Sequence, residues 1–179
     1  YLQPFLMGIV ISVVMGLALT LPISSAALSI ILGLSGLPAG AATVGCSAQM
    51  IGFAVASFRE NKWDGLLAQG IGTSMLQISN IVKNPLIWIP PTLTSAILGP
   101  LATVVFQMEN NPAGGGMGTS GLVGQIMTWQ TMAGSRSSGV LLLEILLLHF
   151  ILPAILSLFF SEIMRKKGWI RMGDMKLDI

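Results

Sequence analysis

Two stretches of this chain carry no charge and are nonetheless interrupted by residues that break helices. Tyr1 to Phe58 contains no Asp, Glu, Lys or Arg, yet it is punctuated by Pro22, Gly33, Gly36, Pro38 and Gly40. Asn84 to Met108 repeats the pattern, with Pro85, Pro90-Pro91 and Gly99-Pro100. The absence of charge points to lipid. The breaks point to more than a simple crossing, because non-helical backbone at membrane depth persists only where protein buries it or where it lines a polar cavity. Paired broken segments are the best sequence pointer to a transport or binding site inside the bilayer.

Composition agrees. Only 9% of the residues are charged and 53% are hydrophobic, with a mean hydropathy of +0.82. A soluble domain carries about 25% charge, so the chain reads as an all-α polytopic membrane protein whose first partner is the lipid bilayer. A net charge of +2, with no interleaving of basic and aromatic residues, gives no argument for nucleic acid, and no direct nucleic-acid binding is expected. The single cysteine, Cys46, excludes an internal disulfide and a multi-cysteine metal site, and reads as an inert packed thiol. No pattern calls for a cofactor. Tyr1 opens the chain without Met or a basic flank, so no signal peptide is seen and the expectation is part of a longer protein.

Spanning hydrocarbon takes about 20 helical residues. The expected first span is Phe5–Leu21, stopped or kinked by Pro22. Ile23–Leu34 is too short to cross and reads as a re-entrant half-helix, or else as the continuation of one long kinked helix. Ala39–Phe58 is a second span rich in small residues, with Gly45 and Gly52 placed for close packing. Arg59–Asp64 is an expected charged loop. In Gly65–Val82, helical spacing puts Gln69, Thr73, Gln77 and Asn80 on one face, which should meet a cavity or another helix. Pro85–Met108 is either divided or kinked twice, and Gln107–Gly121 is a glycine-rich loop. A short helix over Leu122–Ala133 and a last span over Val140–Met164 complete the membrane part, residues 1–164. Arg165, Lys166, Lys167 and Arg171 make 165–179 a basic tail, cytoplasmic by the positive-inside rule.

Several groups invite chemistry. Gly116, Gly118 and Gly121 spell G-x-G-x-x-G, but no βαβ unit surrounds them, so they read as a loop that lets backbone approach a ligand or another segment, or as a plain turn. The following helix should start near Thr119 or Ser120, where its N-terminus would favour an anionic or hydroxyl-rich group. Glu144 and His149 are the ionisable residues of the last span and do not share a face. Glu144 could also reach the headgroups. Arg136 reads as a solvated loop cation and Lys83 as a snorkelling one. No catalytic residue or metal ligand set is expected.

The run Asn80-Ile81-Val82-Lys83-Asn84-Pro85-Leu86-Ile87-Trp88-Ile89-Pro90 resembles the Asn-Pro segment of the IIC permeases of the bacterial sugar phosphotransferase system, most of all the lactose/cellobiose branch. Leu2–Gly8, Leu21–Ala27 and Asn111-Pro112-Ala113-Gly114-Gly115-Gly116-Met117-Gly118-Thr119-Ser120-Gly121 resemble the IIC-like family that includes the perfringolysin O regulator protein. That second resemblance runs over essentially the whole chain, which corresponds to the C-terminal half of those proteins. It implies a IIC permease-like bundle with broken helices and re-entrant hairpins, homodimeric, in the bacterial cytoplasmic membrane. It also implies a small polar solute such as a sugar, and a cytoplasmic IIB-type partner that phosphorylates it.

The candidate solute-binding residues are Thr73, Gln77, Asn80, Asn84, Asn111, Gly116 and Gly118. In the relatives a glutamate holds the sugar shortly before the Asn-Pro segment; counting back from Asn84-Pro85, that position is Thr73 here. A threonine can share hydrogen bonds with sugar hydroxyls but cannot take their protons. Three readings follow: a permease domain, a membrane-embedded regulator that keeps the fold without the chemistry, and a structural half whose site is completed elsewhere.

Overall fold

The computed structural model describes residues 2–179; Tyr1, the first residue of the leading charge-free run, lies outside them. The chain is all-helical, and among the described residues β-pairing is confined to two isolated bridges. Four helical stretches are long and apolar enough to cross a membrane: Leu2–Thr20, Gly36–Ala56, Pro85–Val105 and Ser138–Lys166.

Helix α1 (Leu2–Thr20) stops two residues before Pro22, whose ring disfavours the helical conformation before it. A separate short helix, α2 (Ser25–Ile31), then starts on the Ser24 hydroxyl, which accepts from Ala27 N at 3.2 Å. The alternative of one long kinked helix is therefore not what forms. Gly33 takes the left-handed conformation (φ 61°) that ends a helix, and α3 (Gly36–Ala56) follows.

Helix α3 is the axis of the molecule. Its span is 89% buried, against 33% for α1 and 28% for the last span. It packs on α1, on α6 (Ile89–Pro100) and on α10 (Leu152–Lys166). Small residues make this possible. A Cβ on Gly45 would collide with the Ser12 carbonyl of α1, and one on Gly52 would sit 2.6 Å from Ser157 Oγ of α10. The two glycines thus admit two different neighbours. Polar residues of α3 return their hydroxyls to their own helix, as in Ser47 Oγ to Thr43 O at 2.7 Å, which satisfies them without water.

The expected charged loop is instead helical. α4 (Phe58–Leu67) contains one kink, at Lys62 (φ 53°, ψ −147°). Its charges bind it to α10: Arg59 meets Glu162 at 3.1 Å, and Glu60 meets Arg165 at 3.0 Å. The next expected helix is broken. A wide turn at Ala68–Gly72 leads to an extended Thr73 (φ −158°, ψ 145°), a tight turn at Ser74–Gln77, and α5 (Ile78–Lys83). Gly70 and Gly72 are poor helix formers, and the Thr73 hydroxyl caps the new start by accepting from Met75 N at 3.1 Å.

The third span begins with a tight turn, Pro85–Trp88, runs through α6, and ends in a wide turn at Leu101–Val105 just after Pro100. Pro90 and Pro91 sit in the first turn of α6, where an N–H is not needed. After α7 (Pro112–Gly115) and α8 (Val123–Met132), the final span joins α9 (Ser138–Leu146) to α10 through a wide turn, Leu147–Ile151. Pro153 has no N–H to give to the His149 carbonyl, which accounts for the slack there. The basic segment past α10 folds back, burying Ile170 and Met175 with Phe53, Ile81 and Ile87.

Candidate functional site

Three interruptions of helix meet at one cleft. The break between α1 and α2 brings Leu19, Ile23, Ser24 and Ser25; the break at Gly72–Thr73 brings those two and Met75; the glycine-rich turn brings Gly116, Met117 and Ser120. The cleft has a volume of about 190 Å³. Its parts are tied together. Ser25 Oγ donates to Gly116 O at 2.6 Å, and Thr119 Oγ1 donates to Gly70 O at 2.5 Å. The backbone at Gly116 comes so close to Ser25 and Ala26 that a Cβ would collide with the Ser25 carbonyl. The glycine run therefore serves to seat one segment on another at the wall of the cleft. The following helix starts at Val123 rather than at Thr119 or Ser120, after a tight turn over Ser120–Leu122. Thr73 accepts one hydrogen bond, from Met75 N, and keeps its own O–H to give. Among the described residues the lining carries no ionisable side chain. Its hydroxyls and backbone groups suit an uncharged, hydroxyl-bearing molecule, and it offers no group of the acidity that general acid–base catalysis uses.

Behind this cleft runs a chain of buried polar groups. Thr20 Oγ1 lies 2.8 Å from Ser74 Oγ and donates to Gln49 Oε1 at 3.1 Å. Trp88 Nε1 donates to the same Gln49 oxygen at 2.9 Å, and Gln49 Nε2 donates to Thr92 Oγ1 at 3.1 Å. Gln49, Thr20 and Ser74 are fully buried. Sequence reasoning missed these residues. The available signal was a lone amide at position 49 in a helix of small apolar residues, since polar groups at such depth bind other helices or mark a path.

The other expected site residues lie elsewhere. Gln69, Gln77 and Asn80 do gather, but around the chain's own C-terminal segment. Gln77 Nε2 donates to Gln69 Oε1 (2.8 Å) and to Met175 O (2.9 Å), and Asn80 Nδ2 donates to Gln77 Oε1 and Lys176 O, both at 2.9 Å. Asn84 caps the Pro85–Trp88 turn, accepting from Leu86 N at 3.2 Å, and donates to Asp174 Oδ2 at 2.8 Å. Asn111 caps α7 by accepting from Gly114 N at 3.0 Å. Gly118 adopts φ +54° with its backbone against Cys46 and Ser47. Of the seven candidates, the cleft brings together Thr73 and Gly116.

The ionisable candidates also find partners. Arg136 is no free loop cation: it bonds the Glu144 carboxylate and the Phe106 carbonyl, and reaches Gln107 O at 3.3 Å. His149 Nδ1 lies 3.0 Å from Gln125 Nε2 in a buried contact. Lys83 is exposed at the edge of a second polar cleft, formed with Ser79, Asn80 and the C-terminal segment. Among the described residues no three His, Cys, Asp or Glu side chains gather to hold a metal ion.

A family model described as "Phosphotransferase system, EIIC" matches residues 1–177. No curated protein and no solved structure matches the chain.

Proposed function

This chain belongs to the phosphotransferase system EIIC family, and we propose that it binds and translocates a small uncharged polar solute, a sugar, at the cleft where its three helix breaks meet. The observation that carries this reading is the convergence of Ser24, Ser25, Thr73, Gly116 and Ser120 on one cleft of a bundle whose outer face is apolar. Hydroxyl and carbonyl groups offer a sugar both donors and acceptors, while the absence of charge in that lining disfavours an ionic solute. In this reading α2 is a re-entrant element, the protein works as a homodimer in the bacterial cytoplasmic membrane, and the basic segment after α10 faces the cytoplasm. Phosphate comes from a separate IIB-type protein, as it does for the relatives this chain resembles.

The test is equilibrium binding of radiolabelled neutral mono- and disaccharides to the full-length protein in lipid nanodiscs, followed by uptake into proteoliposomes. Thr73→Val keeps the shape and removes the hydroxyl. It should weaken binding about 3- to 10-fold, the worth of one hydrogen bond. A wild-type protein that binds none of these sugars overturns the reading.

A second reading is favoured by one observation, the threonine at position 73 where a sugar-phosphorylating relative is expected to carry glutamate. In it the protein is a membrane-embedded regulator that binds its solute without passing it to phosphoryl transfer. Sugar phosphate formed by the wild-type protein with purified phosphorelay components excludes that role.

A further inference from the structure

The segment that follows α10 is held as a strap, and we propose that it is a coupling element: its docking sets the geometry of the Thr73 break, and its release reshapes the cleft. After Lys166 the chain turns at Gly168 and Gly173, both at positive φ, and runs back over α4 and α5. Polar side chains of those helices and of the residues flanking α5 bond chiefly to its backbone, Asn84 also to the Asp174 carboxylate, while Ile170 and Met175 pack beneath it with Ile81 and Ile87. Glu60 accepts from Gly173 N at 3.1 Å and from Met175 N at 3.0 Å. Asn61 donates to Met175 O at 2.8 Å and accepts from Leu177 N at 2.7 Å, much as a neighbouring strand would. Gln77 and Asn80 add their bonds to Met175 O and Lys176 O.

The grip reaches the cleft through one pair. Gln69 and Gln77 stand four residues before and four residues after Thr73, and their amides are joined across the break at 2.8 Å. Gln77 is at the same time bonded to the strap. With the strap seated, both sides of the break are fixed relative to each other, and Thr73 is fixed in the wall of the cleft. With the strap lifted, Gln77 loses a bond, and Glu60, Asn61 and Asn80 must find water. Those groups can be hydrated, while the exposure of Ile170 and Met175 keeps the lifted arrangement the minor one, so the two form a two-state element of the kind that transmits a signal.

The test reads thiol accessibility in the full-length protein, with Cys46, the one cysteine of this chain, and any others replaced by Ala. Three reporters are made singly: Met175→Cys on the strap, Thr73→Cys in the cleft, and Gln130→Cys on the exposed side of α8. Each is labelled with a membrane-impermeant maleimide, with and without the double substitution Asn61→Ala/Asn84→Ala, which spares every bond of Gln77; Asn84 holds the strap through Trp169 O and the Asp174 carboxylate. That double variant removes grips on the strap and leaves the Gln69–Gln77 pair and the cleft lining in place.

The expected result is labelling of Met175→Cys faster by about tenfold or more, the effect of losing several hydrogen bonds on a local opening. Thr73→Cys should change by about fivefold or more, the scale of a coupling between sites, while Gln130→Cys stays constant. Three results overturn the inference: an unchanged Met175→Cys rate, an open strap with an unchanged Thr73→Cys rate, or all three reporters rising together. Should the double variant fail to fold, hydrogen exchange on the wild-type protein replaces it. Amides of 173–177 and 70–77 should then open together and before those of α3; strap amides that exchange only with α3 refute the coupling. The inference rests on the cleft as the solute site, but the labelling uses no solute, so a failure to bind sugar and a failure of coupling are separate results.

Discussion

At position 77 a single amide does three things: it donates to Gln69 and to the Met175 carbonyl, and it accepts from Asn80. The side chain is fully buried, so each unmade bond carries its desolvation cost. Gln77→Leu should therefore lower stability by about 1–3 kcal/mol. Gln77→Glu should lower it further although it is the closer isostere. A carboxylate cannot donate, and it would bring a charge against two oxygen acceptors in a dry site. Thermal unfolding in a single detergent, with the exposed Ser79→Ala as reference, measures both. Equal losses for the leucine and glutamate variants would mean that water reaches this site. Gln49 carries a similar load deeper in the bundle, where its oxygen accepts from Thr20 and from Trp88.

Elements in this fold end where side chains can hold their last polar groups. The third span finishes with the Phe106 and Gln107 carbonyls pointing at Arg136, whose guanidinium is neutralised by Glu144 of α9. One cation thus closes a helix end and ties two spans. Arg136→Met leaves a mostly buried Glu144 without its counter-charge, and breaking such a pair costs up to about 3–5 kcal/mol, less here because the arginine is partly exposed. Adding Glu144→Leu should recover much of that loss, since the unpaired charge is then gone; a double variant no more stable than Arg136→Met alone contradicts this. Sequence alone carried part of this picture. The leading charge-free run located the first two spans to within a few residues, the apolar run ending at the basic cluster located the last, and Pro22 marked the break before α2. The face Gln69–Asn80 was legible as a set of polar residues that must meet something, but helical spacing could not show that Thr73 turns extended, nor that the partner lies about a hundred positions on. Contacts such as Gln77 with Met175 leave no local signature, because the tail offers its backbone, which every sequence has. For the same reason the cleft was half seen: Thr73 and Gly116 were picked out, while Ser24 and Ser25 read as part of the half-helix and Ser120 as the start of the next helix.

As a whole the molecule turns an apolar coat outward from a polar-threaded interior. Ile155 and Phe159 on α10, like Val10 and Val14 on α1, are exposed, as lipid-facing residues of a membrane bundle should be. Ile155→Lys, placed well inside the last span, should cost about 2.5–3.5 kcal/mol of insertion free energy. Ile163→Lys, beside the basic end of the same helix, should be tolerated because its ammonium can reach the headgroups. The fraction of each variant that resists carbonate extraction from membranes gives the comparison, and equal extraction of the two would argue that Ile155 does not face lipid. One feature of the interior has a mechanical meaning. The glycines of α3 are notches, each filled by a neighbour: Gly40 by the Met108 carbonyl, Gly45 by the Ser12 carbonyl, Gly52 by Ser157 and Pro91. Sliding or rotating α3 by one residue would swing Ala41, Cys46 or Phe53 into spaces sized for a hydrogen atom. The notches therefore act as detents that lock α3, α1, α6 and α10 into a stator. The stroke of any transport cycle is left to the parts outside it: α2, the Thr73 break and the glycine turn that faces them.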